Sequence, residues 1–194
     1  GQLDGDDSPT RRGIGIAATL NVGGGARIYR SDGCGATVKV DDFGRVTLIT
    51  GATEIGQGSD AVLTQIVGEV LGVPPEDVQI VNDDTEIKPW DVGVHASRTT
   101  FIAGKAAMLA AEQARAKLFE MAAELLKADP SDLAAANRTI SVAGNPDRSI
   151  PLEKAARARH FRAGGEVIVA QAFYDPPNQM VDKDTYHGNV SAAY

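Results

Sequence analysis

The chain has 194 residues and a formal net charge of −7, with 43% hydrophobic and 23% charged residues. These proportions are typical of a globular domain that buries a hydrophobic core. The acidic balance, without any run of lysine or arginine, excludes the electrostatic footprint of a nucleic-acid-binding protein. An anionic ligand would have to be held by backbone N–H groups and single arginines, against the overall field.

Four patterns place the first elements along the chain. Residues 36–40 and 45–49 are β-rich segments around Asp41–Gly44, which is typical of a hairpin. Apolar residues recur at helical spacing from Asp60 to Gly72, and the longest helix is predicted for residues 99–127. The other predicted elements are strands at 78–81, 139–142 and 166–173, a helix at 152–161 and a short turn at 131–133.

This order of elements predicts an α+β fold with two layers, in which helices pack on one face of a mixed β-sheet. No apolar run approaches the roughly 20 residues of a membrane span. The single cysteine excludes an internal disulfide and favours a reducing, cytoplasmic location. Two loops carry candidate binding chemistry: residues 50–60, here called the glycine loop, and residues 95–100, here called the His95 segment.

The glycine loop lies between a predicted strand and a predicted helix. Gly56 and Gly58 lack a Cβ, so a flat or anionic ligand could approach the main chain closely. Gln57 carries an amide with donors and an acceptor, which suits the heteroatom edge of a pterin. The same glycines would serve as well in a tight turn, with Ser59 or Asp60 capping the helix.

The His95 segment opens the longest predicted helix. Free N–H groups and the helix dipole favour a bound anion there by roughly 0.3–1 kcal/mol. Ser97, Thr99 and Thr100 add small hydroxyl groups, and the fork of Arg98 could add a charge-assisted contact to a phosphate. Ordinary capping by Ser97, with a solvated Arg98, explains the same residues as simply. Two such loops in one chain favour an elongated, nucleotide-like ligand.

Other chemically capable side chains fit structural roles better. Glu54 is predicted to position the glycine loop rather than to act as a general base. Cys34 has no histidine partner nearby in sequence and is predicted to be a buried, inert thiol. Trp90 is predicted to lie in the core or at an interface. The three histidines lack metal-ligand spacing, so no protein metal site is predicted.

In their order, these segments resemble the cofactor-binding core of the xanthine oxidase family of molybdenum hydroxylases. The matching motifs are Gly51–Gly58, Gln65-Ile66, Asp84-Thr85 and Ala96–Thr100 with Gly104. Their order and spacing match as well as their residues, which makes the set far more specific than any one motif. A closer resemblance to the large subunit of the 4-hydroxybenzoyl-CoA reductases rests on residues 29–34, 89–95, 160–162 and 173–178.

The resemblance implies that the glycine loop contacts the pterin of molybdopterin cytosine dinucleotide, and that the His95 segment holds its diphosphate and cytidine half. In this family the pterin dithiolene holds the molybdenum, so no protein metal ligand is expected. The predicted cofactor-binding residues are Gly56, Gln57, Gly58, Ser59, Ala96, Ser97, Arg98, Thr99 and Thr100.

The family's catalytic glutamate lies in a Gly-Glu-Gly segment that this sequence lacks. No residue is therefore predicted to be catalytic, and the chain alone is predicted to be inactive. Because it lacks an initiator methionine, we expect a piece of a longer subunit. Residues 1–33 would then end a preceding cofactor-binding subdomain, and residues 34–194 would form a molybdopterin-binding domain truncated at its C-terminus.

The resemblance further implies [2Fe-2S] and FAD centres on partner subunits, in a dimer of heterotrimers. The expected reaction is the reductive dehydroxylation of 4-hydroxybenzoyl-CoA, an aromatic acyl-CoA. An alternative is a xanthine or aldehyde dehydrogenase-type hydroxylase of an aldehyde or N-heterocycle. An alternative of another class is a non-catalytic nucleotide-binding module that retains the two loops.

Overall fold

A computed structural model describes residues 13–19 and 31–176 of the chain. The described elements are β1 (Cys34–Val40), β2 (Val46–Thr50), α1 (Ser59–Leu71), β3 (Val78–Val81), α2 (Thr99–Leu126), β4 (Leu133–Ala136), β5 (Thr139–Val142), β6 (Asn145–Pro151), α3 (Leu152–Arg162) and β7 (Ile168–Tyr174). Most of the predicted lead-in at 1–33 lies outside the described residues. The same holds for the tail after residue 176, which includes the end of the 173–178 segment.

Within the described residues, the larger sheet has four strands in the order β3-β2-β1-β7. β1 pairs antiparallel with β2 and β7, whereas β2 and β3 run parallel, so the sheet is mixed. The β1–β2 hairpin is present, although β1 begins two residues before its predicted start, and all three predicted helices lie within one residue of their predicted ends. The predicted α+β fold, with helices packed on a mixed sheet, is confirmed.

Helix α2 packs against β1 and β7, and α1 packs beside it. The buried face of α2 is built mostly from alanines: Ala103, Ala106, Ala107, Ala110, Ala111 and Ala114. Such small side chains let the helix lie close to the sheet, and they lose no rotamer entropy on folding. The close packing fixes where α2 begins, and therefore where the His95 segment lies.

A second sheet of three antiparallel strands, β4-β5-β6, was not predicted as a sheet. The sequence predicts its central strand, but it predicts only a short turn where β4 begins and no element at β6. β4 consists of one leucine and three alanines, and β6 is mostly polar and exposed. Neither has the β-branched alternation that marks a strand. β4 and β6 are strands because each pairs with β5 in a hairpin, and not because their own residues favour extended structure.

The long segment between β3 and α2 crosses the end of the β1–β2 pair. The backbone N–H of Gly35 donates to the Trp90 carbonyl at 2.9 Å, and that of Gly51 donates to the Gly35 carbonyl at 3.1 Å. A Cβ on Gly51 would lie 2.6 Å from the Pro89 carbonyl oxygen and 2.8 Å from that of Trp90. Glycine at position 51 therefore allows this segment to lie directly on the start of the glycine loop.

Candidate functional site

A pocket of 420 Å³ joins the two loops. Its wall contains Gln57 from the glycine loop and most of the His95 segment. The lining residues are Gln57, Val94, His95, Ala96, Ser97, Thr99 and Thr100. The starts of α1 and α2 therefore lie side by side around one cavity, although they are about forty residues apart in sequence. We call this cavity the α2 pocket.

A second cavity of 590 Å³ adjoins the α2 pocket, because Val94 lines both. It extends along the other side of the glycine loop. Its lining residues include Gly51, Thr53, Ile55, Lys88 and Trp90. The two cavities neighbour each other at Val94, and together they border the start of α2 and the glycine loop; we call the pair the groove. An elongated ligand, as the two loops predict, has room to contact both.

Glu54 organises the glycine loop from within. Its Oε1 accepts from the backbone N–H groups of Gly56 at 2.6 Å and Gly58 at 3.0 Å, and its Oε2 accepts from that of Asp60 at 3.1 Å. The bonds from Gly58, Asp60 and Gly56, with one from the Ser59 hydroxyl, lower the pKa of Glu54 to about 2. The predicted positioning role of Glu54 is confirmed.

This arrangement corrects two expectations for the loop. The N–H groups of Gly56 and Gly58 bind Glu54, so these groups are not available to an anionic ligand. Helix α1 is capped by Glu54 rather than by Ser59 or Asp60, since the N–H of Asp60 donates to the Glu54 carboxylate. Both glycines have positive φ, 100° and 84°, which the tight-turn alternative anticipates.

Gln57 is also bonded within the loop. Its Nε2 donates to the Thr53 carbonyl at 3.1 Å and to Ser59 Oγ at 2.9 Å, and its Oε1 accepts from the N–H of Ile55 at 2.7 Å. Both amide hydrogens are thus used, so the expectation that Gln57 offers free donors is wrong. Its carbonyl oxygen keeps one lone pair, and the side chain forms part of the α2 pocket wall.

Arg98 is the largest departure from the sequence prediction. Its side chain is 1% exposed, and all five of its N–H groups donate at 2.6 to 2.9 Å. The acceptors are the carboxylates of Asp32 and Asp91 and the backbone carbonyls of Asp32, Gly33 and Gly93. The guanidinium has no N–H left for a phosphate, so both the predicted phosphate fork and the alternative of a solvated Arg98 are wrong.

These residues form what we call the Arg98 cluster: Arg98, Asp32 and Asp91. It ties the start of β1 and the segment after Trp90 to the beginning of α2. The two residues before Arg98 depend on this support, because Ala96 and Ser97 have φ values of 51° and 55°. Side chains other than glycine rarely adopt that left-handed region without surrounding restraint.

The N-terminus of α2 is left without a carboxylate. Arg98 occupies the N-cap position without a side-chain cap hydrogen bond, and the first turn contains no acidic residue. Capping by Ser97, the simpler alternative, is therefore wrong. The N–H groups of the first turn have no acceptor within the helix. Thr99 and Thr100 of that turn line the α2 pocket, so the positive end of the dipole faces the cavity.

The other single candidates are resolved individually. Cys34 is fully buried, and desolvation, followed by the nearby Asp91 charge, raises its pKa to about 12, which confirms an inert thiol. Trp90 is 52% exposed with its ring 6.2 Å from that of Phe173, so it does not lie in the core.

Within residues 13–19 and 31–176, no three His, Cys, Asp or Glu residues form a metal-binding group. In the same part of the chain, no helix is long and apolar enough to span a membrane.

The geometry thus places two neighbouring cavities beside the uncapped start of α2 and the glycine loop. The molybdopterin cofactor-binding domain family matches residues 3–194 of the chain. The chain therefore belongs to this family, the molybdopterin-binding domain of the xanthine oxidase-type molybdenum hydroxylases.

Relatives agree with this assignment. The chain is 37% identical over 170 residues to the 6-hydroxypseudooxynicotine dehydrogenase complex subunit gamma of Paenarthrobacter nicotinovorans, covering 88% of the chain and 20% of that protein. It is 34% identical over 145 residues to the putative xanthine dehydrogenase molybdenum-binding subunit XdhA of Escherichia coli, covering 72% of the chain and 19% of that protein.

Among solved structures, quinoline 2-oxidoreductase from Pseudomonas putida 86 matches with a TM-score of 0.70 and 30% identity, covering 80% of the chain and 22% of that structure's chain. The chain thus spans about a fifth of the length of these relatives. They establish the family and the fold.

The sequence did not predict three residues that support the two loops through side-chain hydrogen bonds: Asp32, Asp91 and Lys88. Asp32 and Asp91 receive Arg98, and Lys88 donates from its Nζ to Thr53 Oγ1 at 2.9 Å. Asp91 lies only seven residues before Arg98. It would be the natural candidate for an ion pair once Arg98 is taken to be buried. Asp32 lies 66 residues away and carries no local signal.

Proposed function

We propose that the groove binds molybdopterin cytosine dinucleotide, with the diphosphate and cytidine half at the α2 pocket and the pterin half along the glycine loop. The observation that supports this most is the shared wall of Gln57 and the His95 segment. The donor set fits the ligand, since an uncapped helix N-terminus without acidic residues favours a diphosphate.

In this proposal the contacts come from the exposed parts of the predicted residues. The N–H groups of the first α2 turn, with Ser97 and Thr100, meet the phosphates, whereas Arg98 acts from behind as a positioning residue. Gly56 and Gly58 admit a flat ring because, apart from their chain neighbours, no atom of the described residues lies within 4 Å of the Cβ positions that they lack. Glu54 and Gln57 keep the loop in that shape.

When bound, the cofactor supplies the molybdenum centre at which such enzymes oxidise or reduce their substrate. We propose that the complete protein hydroxylates an aldehyde or an N-heterocycle. Support comes from relatives whose names specify xanthine dehydrogenase and quinoline 2-oxidoreductase activities. A second candidate, the reductive dehydroxylation of 4-hydroxybenzoyl-CoA, is supported only by the resemblance of the sequence segments 29–34, 89–95, 160–162 and 173–178.

The same proposal includes partner subunits that carry [2Fe-2S] and FAD centres, and a cytoplasmic location. Support for the partners comes from relatives named as a complex subunit and as the large chain of carbon monoxide dehydrogenase. The single buried cysteine fits a reducing compartment. A dimer of heterotrimers is the expected assembly of the complete protein.

The test is to purify the protein from a host that makes the cytosine dinucleotide cofactor and to quantify molybdenum and released CMP per chain. We expect close to one of each. Absence of both would contradict the proposal and favour a non-catalytic nucleotide-binding module. Assays of the intact complex with N-heterocycles, aldehydes and 4-hydroxybenzoyl-CoA then separate the candidate reactions, because only the last requires an added reductant.

A further inference from the structure

Alternating cations and phenyl rings form a row on the surface between the β1–β2 hairpin and α3. The guanidinium carbon of Arg45 lies 5.5 Å from the Phe43 ring centroid. That of Arg157 lies 5.9 Å from the same ring and 5.5 Å from the Phe161 ring. We call these four residues the Arg–Phe ladder. Contacts of this length are attractive cation–π interactions, so the ladder orders its own side chains.

Both rings of the ladder are nevertheless largely open to solvent. Phe43 is 58% exposed and Phe161 is 66% exposed. Exposed aromatic rings beside arginine are the side-chain types that contribute most to protein–protein interfaces. The ladder residues line neither the α2 pocket nor the cavity beside it, which points to a macromolecular surface rather than a small-molecule site.

Arg157 differs from the neighbouring arginines in its charge partners. Arg45 pairs with Asp41, while Arg159 and Arg162 pair with glutamates of α2. Within the described residues, Arg157 has no carboxylate within the 4.0 Å of an ion pair. The two rings beside it restrain its guanidinium, and Arg157 is exposed to solvent. A restrained fork loses less entropy when it binds a carboxylate.

We propose that the Arg–Phe ladder docks an acidic segment of a second polypeptide in the same complex. A carboxylate of that segment binds the fork of Arg157, and its apolar neighbours cover Phe43 and Phe161. Charge complementarity supports an acidic partner, because α3 carries Lys154, Arg159 and Arg162 besides Arg157, and Arg157 has no carboxylate partner within the described residues. That the partner is another subunit rests on the proposed function.

The first test maps the partner by photo-cross-linking. A Phe161→p-benzoylphenylalanine variant is expressed with the complete complex, irradiated and digested for mass spectrometry. We expect cross-links to a peptide of another subunit that contains Asp or Glu. Cross-links to a peptide without either residue, to the same polypeptide, to a second copy of it, or to no protein would each overturn the proposal.

The second test measures the strength of docking. We expect Arg157→Glu to weaken retention of the partner subunit about tenfold or more in salt-matched pull-downs. The matched control is Lys154→Glu, an exposed cation on the same helix outside the ladder, which we expect to change retention less than twofold. Equal effects of the two changes would contradict the proposal. Molybdenum content per chain, measured in parallel, reports separately on the proposed function.

Discussion

The two helices that begin at the groove have N-termini in opposite states. At α1 the protein supplies its own anion, because the Glu54 carboxylate accepts from the N–H groups of the first turn and of the loop before it. At α2 there is no acidic residue in the first turn and no side-chain cap. Only the second terminus keeps its donors for a ligand.

The uncapped N-terminus of α2 is held in place by contacts from outside its own segment, unlike that of α1. Most of the side-chain bonds that hold the glycine loop come from its own residues, Glu54 and Gln57, with Lys88 adding one bond from outside the loop. The His95 segment is held instead by Arg98, which bonds behind it to residues as distant in sequence as Asp32. The N-terminal N–H groups of a helix can thus stay uncapped in an ordered loop, provided that a buried charge cluster holds the loop in place.

The largest expected effect comes from breaking that cluster. Replacing Arg98→Met leaves the carboxylates of Asp32 and Asp91 buried without their cation, which costs about 3–5 kcal/mol of unfolding free energy. Chemical denaturation measures the loss. The control, Arg159→Met, removes an exposed ion pair of 3.5 Å and should cost less than about 1 kcal/mol. If Arg98→Met lowers the unfolding free energy no more than Arg159→Met does, the Arg98 cluster does not stabilise the fold.

A smaller effect is expected where the two regions touch. A methyl group in Gly51→Ala would lie within 2.8 Å of two backbone carbonyl oxygens, so the segment at residues 89–91 must shift. Overpacking of this kind costs about 1–3 kcal/mol. The matched change Gly15→Ala meets no atom of the described residues within 4 Å beyond its chain neighbours, and it should be neutral in the same denaturation assay. Wild-type stability of Gly51→Ala would show that the contact is dispensable.

A carboxylate placed at the open terminus should stabilise the chain. Thr100→Asp puts a negative charge in the first turn of α2, which contributes about 0.3–1 kcal/mol through the helix dipole. Ala61→Asp makes the equivalent change at α1, where Glu54 and Asp60 already lie, and should be neutral or destabilising. Thermal melts of the apoprotein compare the two. A stabilising Ala61→Asp would mean that the α1 terminus is not already occupied.

The smallest effect concerns pH. The pKa of Glu54 is lowered from 4.5 to about 2 by backbone N–H donors, so its ionised form stabilises the folded state above pH 4.5. This contribution declines as pH falls below 4.5 and is lost as pH falls through 2. In Glu54→Gln the difference in stability from wild type should therefore shrink over that interval. Denaturation curves at pH 6, 4 and 2.5 measure it; a constant difference would exclude the proposed linkage.

The sequence predicted those parts of the fold and site that depend on local pattern. The long helix, the hairpin and both candidate loops follow from periodicity and from glycine positions. The side-chain roles within the loops were less accessible, because Gln57 and Arg98 have the same identity whether they face a ligand or the protein. Only the acceptors around them decide this, and Asp32, an acceptor for Arg98, lies far away in sequence.

The α2 terminus as the anion site is tested most directly by cofactor content. Thr100→Asp and Ala61→Asp are purified from the cofactor-producing host, and the CMP released per chain is compared with wild type. We expect at least a tenfold loss in Thr100→Asp, since its carboxylate repels the diphosphate, and near wild-type content in Ala61→Asp. Equal CMP content in the two variants would contradict the account.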